Sequence, residues 1–483
     1  MRTLLVSLAL AILAGCAGPP PPPPPPPPTP PPVAAKVINM IPASLSGETN
    51  QDSEPFLAVD TTNSRRMVGS AFTPNPFGTS SGLAPVYVST DGGDTWTLNM
   101  IVPSSGRLGT SDITVATSGT ALRLYGGILR IPGNLLLNIL RTDDFTAPTP
   151  MAVLSSRNNV DQPFVQATTV GGNERVYVGN NDFDAPGDRT ATVDLSLDGT
   201  TFNTIRIETR PTAGQDGPSI RPTVARDGTV YAAYFGWRSF DGSVATSDVV
   251  VVRDDNGGAG PNPFQALTDT DGLPGRRVVK NITIPWANES TLGFERIGSS
   301  LSIAVDPNNS STVCIAWADR VGNGDIYTIH VRLSTDRGIT WSNDLRTITN
   351  ATCFALAVAE NGTVGFLYQQ HFGSGATSHW VTHLEQTRDA FTTVHDTIMA
   401  KVPGNAPDPQ YLPYLGDYNF MLAVGNEFHG IFSANNTPDL ANFPKGVKYQ
   451  RSANFTTKTL LDGSGNPVDI SIDPFYFRVK AIQ

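Results

Sequence analysis

From residue 36 to the C-terminus, short apolar stretches alternate with polar positions and are separated by clusters of Gly, Asn, Asp and Pro. A repeat of two throws successive side chains to opposite faces and predicts β-strands; no stretch carries its apolar residues at helical spacing. Three kinds of strand recur in a fixed order. The first is a short apolar strand ending near an alanine, at residues 54–58, 112–116, 162–167, 221–225, 300–304, 353–357 and 420–423. A second follows about ten residues later, as at 176–178, 230–234, 313–317 and 364–368. The third leads into a polar turn.

The pattern makes seven units with a period of roughly 50 to 60 residues, in the range of stacked β repeats. One such sheet cannot bury both of its faces. Arranged radially, each sheet covers its neighbour and only short edges remain. Residues 36–483 are therefore read as one all-β domain, a seven-bladed β-propeller of four-stranded antiparallel blades. Residues 37–41 are expected to close the ring as an outer strand of the last blade, a role that the tail run 475–479 also fits. The longest insertion, about residues 265–298, falls between units four and five.

Two of the turns share one pattern: Ser89-Thr90-Asp91-Gly92-Gly93-Asp94-Thr95-Trp96 and Ser334-Thr335-Asp336-Arg337-Gly338-Ile339-Thr340-Trp341. The aspartate can accept backbone N–H groups further along the turn, glycine takes up φ > 0 freely, and the tryptophan anchors the loop on apolar surface. Residues 196–202 hold a copy one residue short, while 142–145, 387–391 and 452–455 keep only a turn and an aromatic. These stretches resemble the Asp-box (BNR repeat) of the sialidase superfamily. The resemblance implies a propeller with these turns on its outer rim, away from the ligand face. It also brings an alternative blade count, the six of catalytic sialidases.

The first 35 residues differ in composition. Arg2 precedes an apolar run from 4 to 13 that is too short to span a membrane. Leu13-Ala14-Gly15-Cys16 resembles a bacterial lipobox. It implies that residues 1–15 are a lipoprotein signal peptide, that Cys16 is lipidated, and that acyl chains alone tie the mature protein to a membrane. Ala17 in place of an aspartate implies, in an organism with two membranes, the outer membrane or cell surface. Residues 16–35 form a linker: Pro19 to Pro32, broken only by Thr29, is a polyproline stalk of roughly 40 Å.

The chain has 45 Gly, 40 Pro and only 16% charged residues, which suits many turns between strands. A formal net charge of -10 excludes the basic face that nucleic-acid binding requires. Apart from Cys16, Cys314 and Cys353 remain, either as a disulfide or as two buried thiols. No Cys/His spacing matches a zinc site. Asp182, Asp184 and Asp188, and Asp269 with Asp271, form acidic loops with the oxygen chemistry of calcium sites. They match no EF-hand, and solvated turns are the default, so no metal or cofactor is assigned.

In a propeller the first strands line the central channel, so residues at their starts are the site candidates. They are Glu54, Asp112, Asp161 with Gln162, Arg221, Glu295 with Arg296 and Ser299, and Asp417 with Tyr418. Singly, each is an ordinary polar strand end; as a set they make a ligand-facing ring. The sialidase resemblance implies Asp112 as acid, Glu295 as activator and Tyr418 as nucleophile. Arg221 and Arg296 would hold a carboxylate, with Glu54, Asp161 and Asp417 as further ligand-binding groups. The family's Arg-Ile-Pro motif precedes the first Asp-box, whereas Arg130-Ile131-Pro132 here follows it, so the resemblance carries the fold further than the reaction. The expected function is a membrane-anchored, extracytoplasmic sialidase-like propeller that binds a glycan or protein at the channel mouth. The alternatives are an exo-α-sialidase-type glycoside hydrolase and a structural envelope lipoprotein.

Overall fold

Strand pairing follows the alternation. The computed structural model of the chain describes residues 36–73, 82–104, 109–130, 135–214, 216–217, 219–320 and 327–483; the signal stretch, Cys16 and the proline run lie outside them. The seven first strands are Ser53–Val59, Ile113–Thr117, Val160–Val170, Arg221–Val224, Leu301–Asp306, Ala351–Val358 and Phe420–Val424. Each begins a four-stranded antiparallel sheet, as in unit one with Ser53–Val59, Met67–Phe72, Leu83–Ser89 and Thr97–Pro103. Units four and five touch edge to edge through the single pair Thr283↔Arg320. Every first strand packs against those of the units before and after it, and Phe420–Val424 returns to Ser53–Val59. The sheets thus close on themselves around a channel, and the fold is an all-β propeller. The only helical segments among the described residues are four single turns of 3-10 helix.

The core lies between sheets rather than inside any of them. Ile113 and Val115 of unit two pack with Phe56 and Val86 of unit one, Val165 and Val178 of unit three with Tyr125 and Leu137 of unit two, and so on around the ring. The last such cluster joins Ile431 and Tyr476 to Leu57 and Trp96, so the seam is as apolar as the other joints. This is the physical reason a lone unit does not suffice.

Both expected closing segments are used. Ile472–Lys480 is the third strand of the last unit and Lys36–Asn39 the fourth, antiparallel to it with Val37 opposite Phe477. Val447–Lys448 adds a short parallel edge. A buried clasp locks the seam: Asp473 accepts from Asn39 Nδ2 at 2.6 Å, Asn436 Nδ2 at 2.9 Å, Ser471 Oγ at 2.7 Å, and from the wholly buried Arg451.

Two sequence expectations need correction. Residues 452–455 are not the third-strand turn of unit seven. Ser452–Asn454 forms a separate small sheet with Thr459–Leu461 and Pro467–Val468. Its turn imitates a box, since Asn454 Oδ1 accepts from the N–H groups of Thr456 and Thr457, both at 3.0 Å. The stretch 265–298 is only partly an insertion, because Arg276–Pro285 is the fourth strand of unit four.

Cys314 and Cys353 are free, buried thiols. The acidic loops meet arginines: Asp182 pairs with Arg157, Asp269 with Arg277 at 2.5 Å and Asp271 with Arg210 at 2.9 Å. In both full boxes the aspartate closes the turn from inside. Trp96 meets Tyr476 at 5.4 Å between ring centroids, and Gly93 has φ 83° at a point where a Cβ would sit 2.1 Å from that tyrosine ring.

Candidate active site

All seven first strands start at the same end of the channel, and three of them start with a bulge. Register shifts between Ser53/Phe56, Asp161/Phe164 and Thr352/Ala355 place Glu54 (φ 53°), Gln162 (φ 49°) and Cys353 (φ 51°) in the left-handed region. Glu54 and Gln162 also precede a proline, which restricts them further. Bulges re-aim side chains at the rims of barrels and sheets. Here they bring both residues to Asp417. Gln162 Nε2 donates to Asp417 Oδ2 at 2.6 Å, and the Asp417 N–H donates to Glu54 Oε1 at 3.3 Å. Gly416 makes the approach feasible: with φ 99°, a Cβ there would lie 2.4 Å from Glu54 Cγ.

Arg296 holds Asp417 with two parallel bonds, Nε to Oδ1 at 2.6 Å and Nη2 to Oδ2 at 2.5 Å. The other face of its guanidinium lies 4.4 Å from the Trp286 ring centroid. Arg221 is 2% exposed and sits over Phe164 at 4.5 Å and Tyr418 at 5.4 Å. Beneath it a cavity of about 190 Å³ runs down the channel, lined by Phe164, Leu301, Phe354, Tyr418 and Met421 among others. Glu295 faces elsewhere: its Oε1 takes the Leu415 N–H, and its Oε2 lies 3.8 Å from the Cys353 thiol, which also reaches Gly416 O at 3.3 Å. Glu54 Oε2, Gln162 Oε1, Arg221 Nη2, Ser299 Oγ and the Tyr418 hydroxyl have no hydrogen-bond partner.

Crowding carboxyls out of water has the expected effect on their protons. Burial, then the charge of Asp112, pushes Glu54 well above the usual carboxylate range. Burial likewise raises Asp112. Asp161 is pushed up to about 7 by burial and then by Asp112. Burial holds Glu295 well above its ordinary value, and burial followed by Glu54 does the same to the Tyr418 phenol. Burial pulls Arg221 down to about 10, whereas for Arg296 burial is outweighed by the charge and hydrogen bonds of Asp417 together with the charges of Glu54 and Asp112, and the guanidinium is raised.

Every channel residue singled out from the sequence therefore lies at one channel end, and most are in mutual contact or electrostatic reach; Cys16 lies outside the described residues. One expected contact is not made. The carboxyl that acts on Tyr418 is foremost Glu54, while Glu295 is engaged by Leu415 and Cys353. Three participants were not singled out from the sequence. Gly416 was legible only as half of Gly416-Asp417, Cys353 was read as a strand start, and Trp286 follows a strand hidden in the presumed insertion.

No family model matches the sequence, and no curated protein matches it. Solved structures align with most of its length. The α-L-arabinofuranosidase of Fusarium graminearum in complex with an iminosugar inhibitor is 10% identical over 74% of this chain and 99% of its own, with a TM-score of 0.43. The α-L-arabinanase of Penicillium chrysogenum with arabinobiose is 13% identical over 75% and 97%, with a TM-score of 0.42. The endo-1,5-α-L-arabinanase of Thermotoga petrophila is 12% identical over 73% and 96%, with a TM-score of 0.35. Likeness at this level does not reach substrate or reaction.

Proposed function

We propose that the channel mouth takes a carbohydrate and is equipped to hydrolyse a glycosidic bond. The observation that carries this reading is the carboxyl cluster at the mouth, where the Asp417 N–H meets Glu54 and burial raises Glu54, Asp112 and Asp161, the last to about 7. Glycoside hydrolysis needs one carboxyl that is still protonated near neutrality and another that carries charge. Asp161, half-buried at the mouth, donates a proton to the departing oxygen. The Glu54–Asp112 pair lies beside the cationic sugar as the bond breaks, and a water molecule then adds to the anomeric carbon and returns a proton to Asp161. Arg296 and Gln162 hold Asp417, and with it the floor of the site, in place. Five carboxyls against two guanidiniums disfavour an anionic sugar and favour a neutral one. A panel of aryl glycosides, arabinosides and sialosides included, tests the reading. Turnover of a neutral glycoside that Asp161→Asn abolishes is expected. Binding without turnover would return the protein to the class of non-catalytic glycan-binding propellers.

One observation favours a second reading, an exo-α-sialidase-type reaction. Arg221 is nearly wholly buried, and its Nη2 has no acceptor beside Tyr418. It could receive a substrate carboxylate, with Tyr418 as nucleophile. Turnover of a fluorogenic sialoside, lost in Tyr418→Phe, would establish it. In either case we place the propeller in the cell envelope, lipidated at Cys16 and held off the membrane by the proline stalk; Cys16→Ser should release it into the soluble fraction.

A further inference from the structure

Unit four carries a long hairpin on the mouth side. Its second and third strands, Val230–Phe240 and Val244–Asp254, have 11 residues each; the corresponding pairs have ten and six residues in unit three and 12 and eight in unit five. Arg221, at the level of the site, pairs with Ala233, so the hairpin continues well beyond it to Phe240. The tip is a closed turn in which Asp241 Oδ1 accepts from the N–H groups of Ser243 at 2.9 Å and Val244 at 2.8 Å. The returning fourth strand is tied to it, with the Trp286 N–H donating to Ser243 O at 2.8 Å.

This wall presents a continuous aromatic run. Phe240, 37% exposed, lies 4.9 Å from the buried Trp237. Trp237 meets Trp286 at 5.6 Å, nearly edge to face. Trp286 stacks on Arg296, which grips Asp417. Gly298 underlies the indole; a Cβ there would come within 2.5 Å of Trp286 Cε3. An exposed apolar ring at the rim is thus packed, ring by ring, into the acidic centre. Aromatic faces suit the C–H faces of uncharged sugar rings, and the acidic mouth repels polyanions.

We propose that the rim from Phe240 to Trp286 is a stacking platform for the next sugar of a neutral glycan chain, so that the ligand is an oligo- or polysaccharide rather than a single terminal sugar. This rests on the carbohydrate reading above, but not on hydrolysis. Packing rather than charge holds the platform together, and a polymer threaded from the acidic centre over unit four would cover its exposed ring.

Affinity electrophoresis of the full-length protein tests it, in native gels containing galactomannan, xyloglucan or debranched arabinan, with polygalacturonate as the anionic control. At least one neutral polymer should retard the protein. Phe240→Ala should weaken that retardation by about five- to tenfold in Kd, the size of a lost aromatic contact. Retardation reads binding alone and requires no turnover, which keeps this outcome separate from the hydrolysis test. No retardation by any neutral polymer, stronger retardation by polygalacturonate, or a Phe240→Ala variant indistinguishable from wild type would each overturn the platform. Phe240 is at an exposed tip, and an unchanged melting temperature would verify that its replacement leaves the fold intact.

Discussion

The propeller carries aspartates at both ends, and the two sets live in opposite chemical worlds. On the turns between third and fourth strands, Asp91 Oδ1 accepts from Ser89 Oγ at 2.9 Å and from the N–H groups of Asp94 and Thr95, both at 3.0 Å, while Oδ2 takes Thr95 Oγ1 at 2.7 Å. Asp336 repeats this with Ser334 and Thr340. Burial is the largest single influence on these carboxylates and opposes their charge, but the threonine hydroxyl, the N–H groups and the serine hydroxyl together outweigh it, and both are lowered. At the mouth, burial first and acidic neighbours after it raise Asp112 and Asp161, and few donors oppose them. The residue type is the same. The supply of donors decides whether a carboxylate is a structural staple or a reservoir for a proton.

The sharpest way to break this contrast is Asp161→Asn. Removing a positioned proton donor should lower kcat by about 10²- to 10⁴-fold, read with an activated and an unactivated glycoside; a loss confined to the unactivated one would still place Asp161 on the leaving group. The same substitution should act on stability in the opposite sense. A carboxyl raised to about 7 stabilises the folded state fully below its unfolded value, and that contribution is lost as the pH climbs through 7. Thermal melts should therefore show wild type weakening between about pH 4 and 8, with a flatter profile in Asp161→Asn. A parallel pair of curves would remove Asp161 from the set of raised groups.

On the turn side, Asp91→Ala should cost about 1 to 2 kcal/mol in chemical denaturation while activity per folded molecule stays constant. A drop in activity would mean the rim communicates with the mouth. The acid limb belongs to the lowered groups. Glu174, brought down to about 2 by hydrogen bonds from Ser118, Thr120, Tyr125 and Arg123 that outweigh its burial, contributes stability above its unfolded value that disappears as the pH falls through 2. Glu174→Gln should blunt the loss of stability in acid. The smallest effect is expected of Thr340→Val, which removes one hydroxyl from Asp336 at an exposed turn, at about 0.5 to 1 kcal/mol.

Much of the fold was legible because it is written locally. Period-two alternation marks a strand wherever it occurs, and the box turns close through residues at most four apart, as in Asp91 with Thr95. The starts of the first strands could be named as site candidates for the same reason: their order along the chain fixes their end of the channel. What the pattern misjudged lay where turn chemistry occurs without the strand it usually follows, as at Asn454, or where a strand hides in a polar stretch, as in Arg276–Pro285.

The sequence alone determined the alternation, the repeat and which polar residues would meet at one mouth. It did not determine their partners. That Asp417 goes to Arg296, that Glu54 rather than Glu295 bears on Tyr418, and that Asp473 clasps Asn39 across 434 residues were decided by ring closure. Only then do units far apart in the chain become neighbours. Hydrogen bonds and proton affinities depend on distances and burial that exist once the channel is closed, and on nothing that can be read in order along the chain.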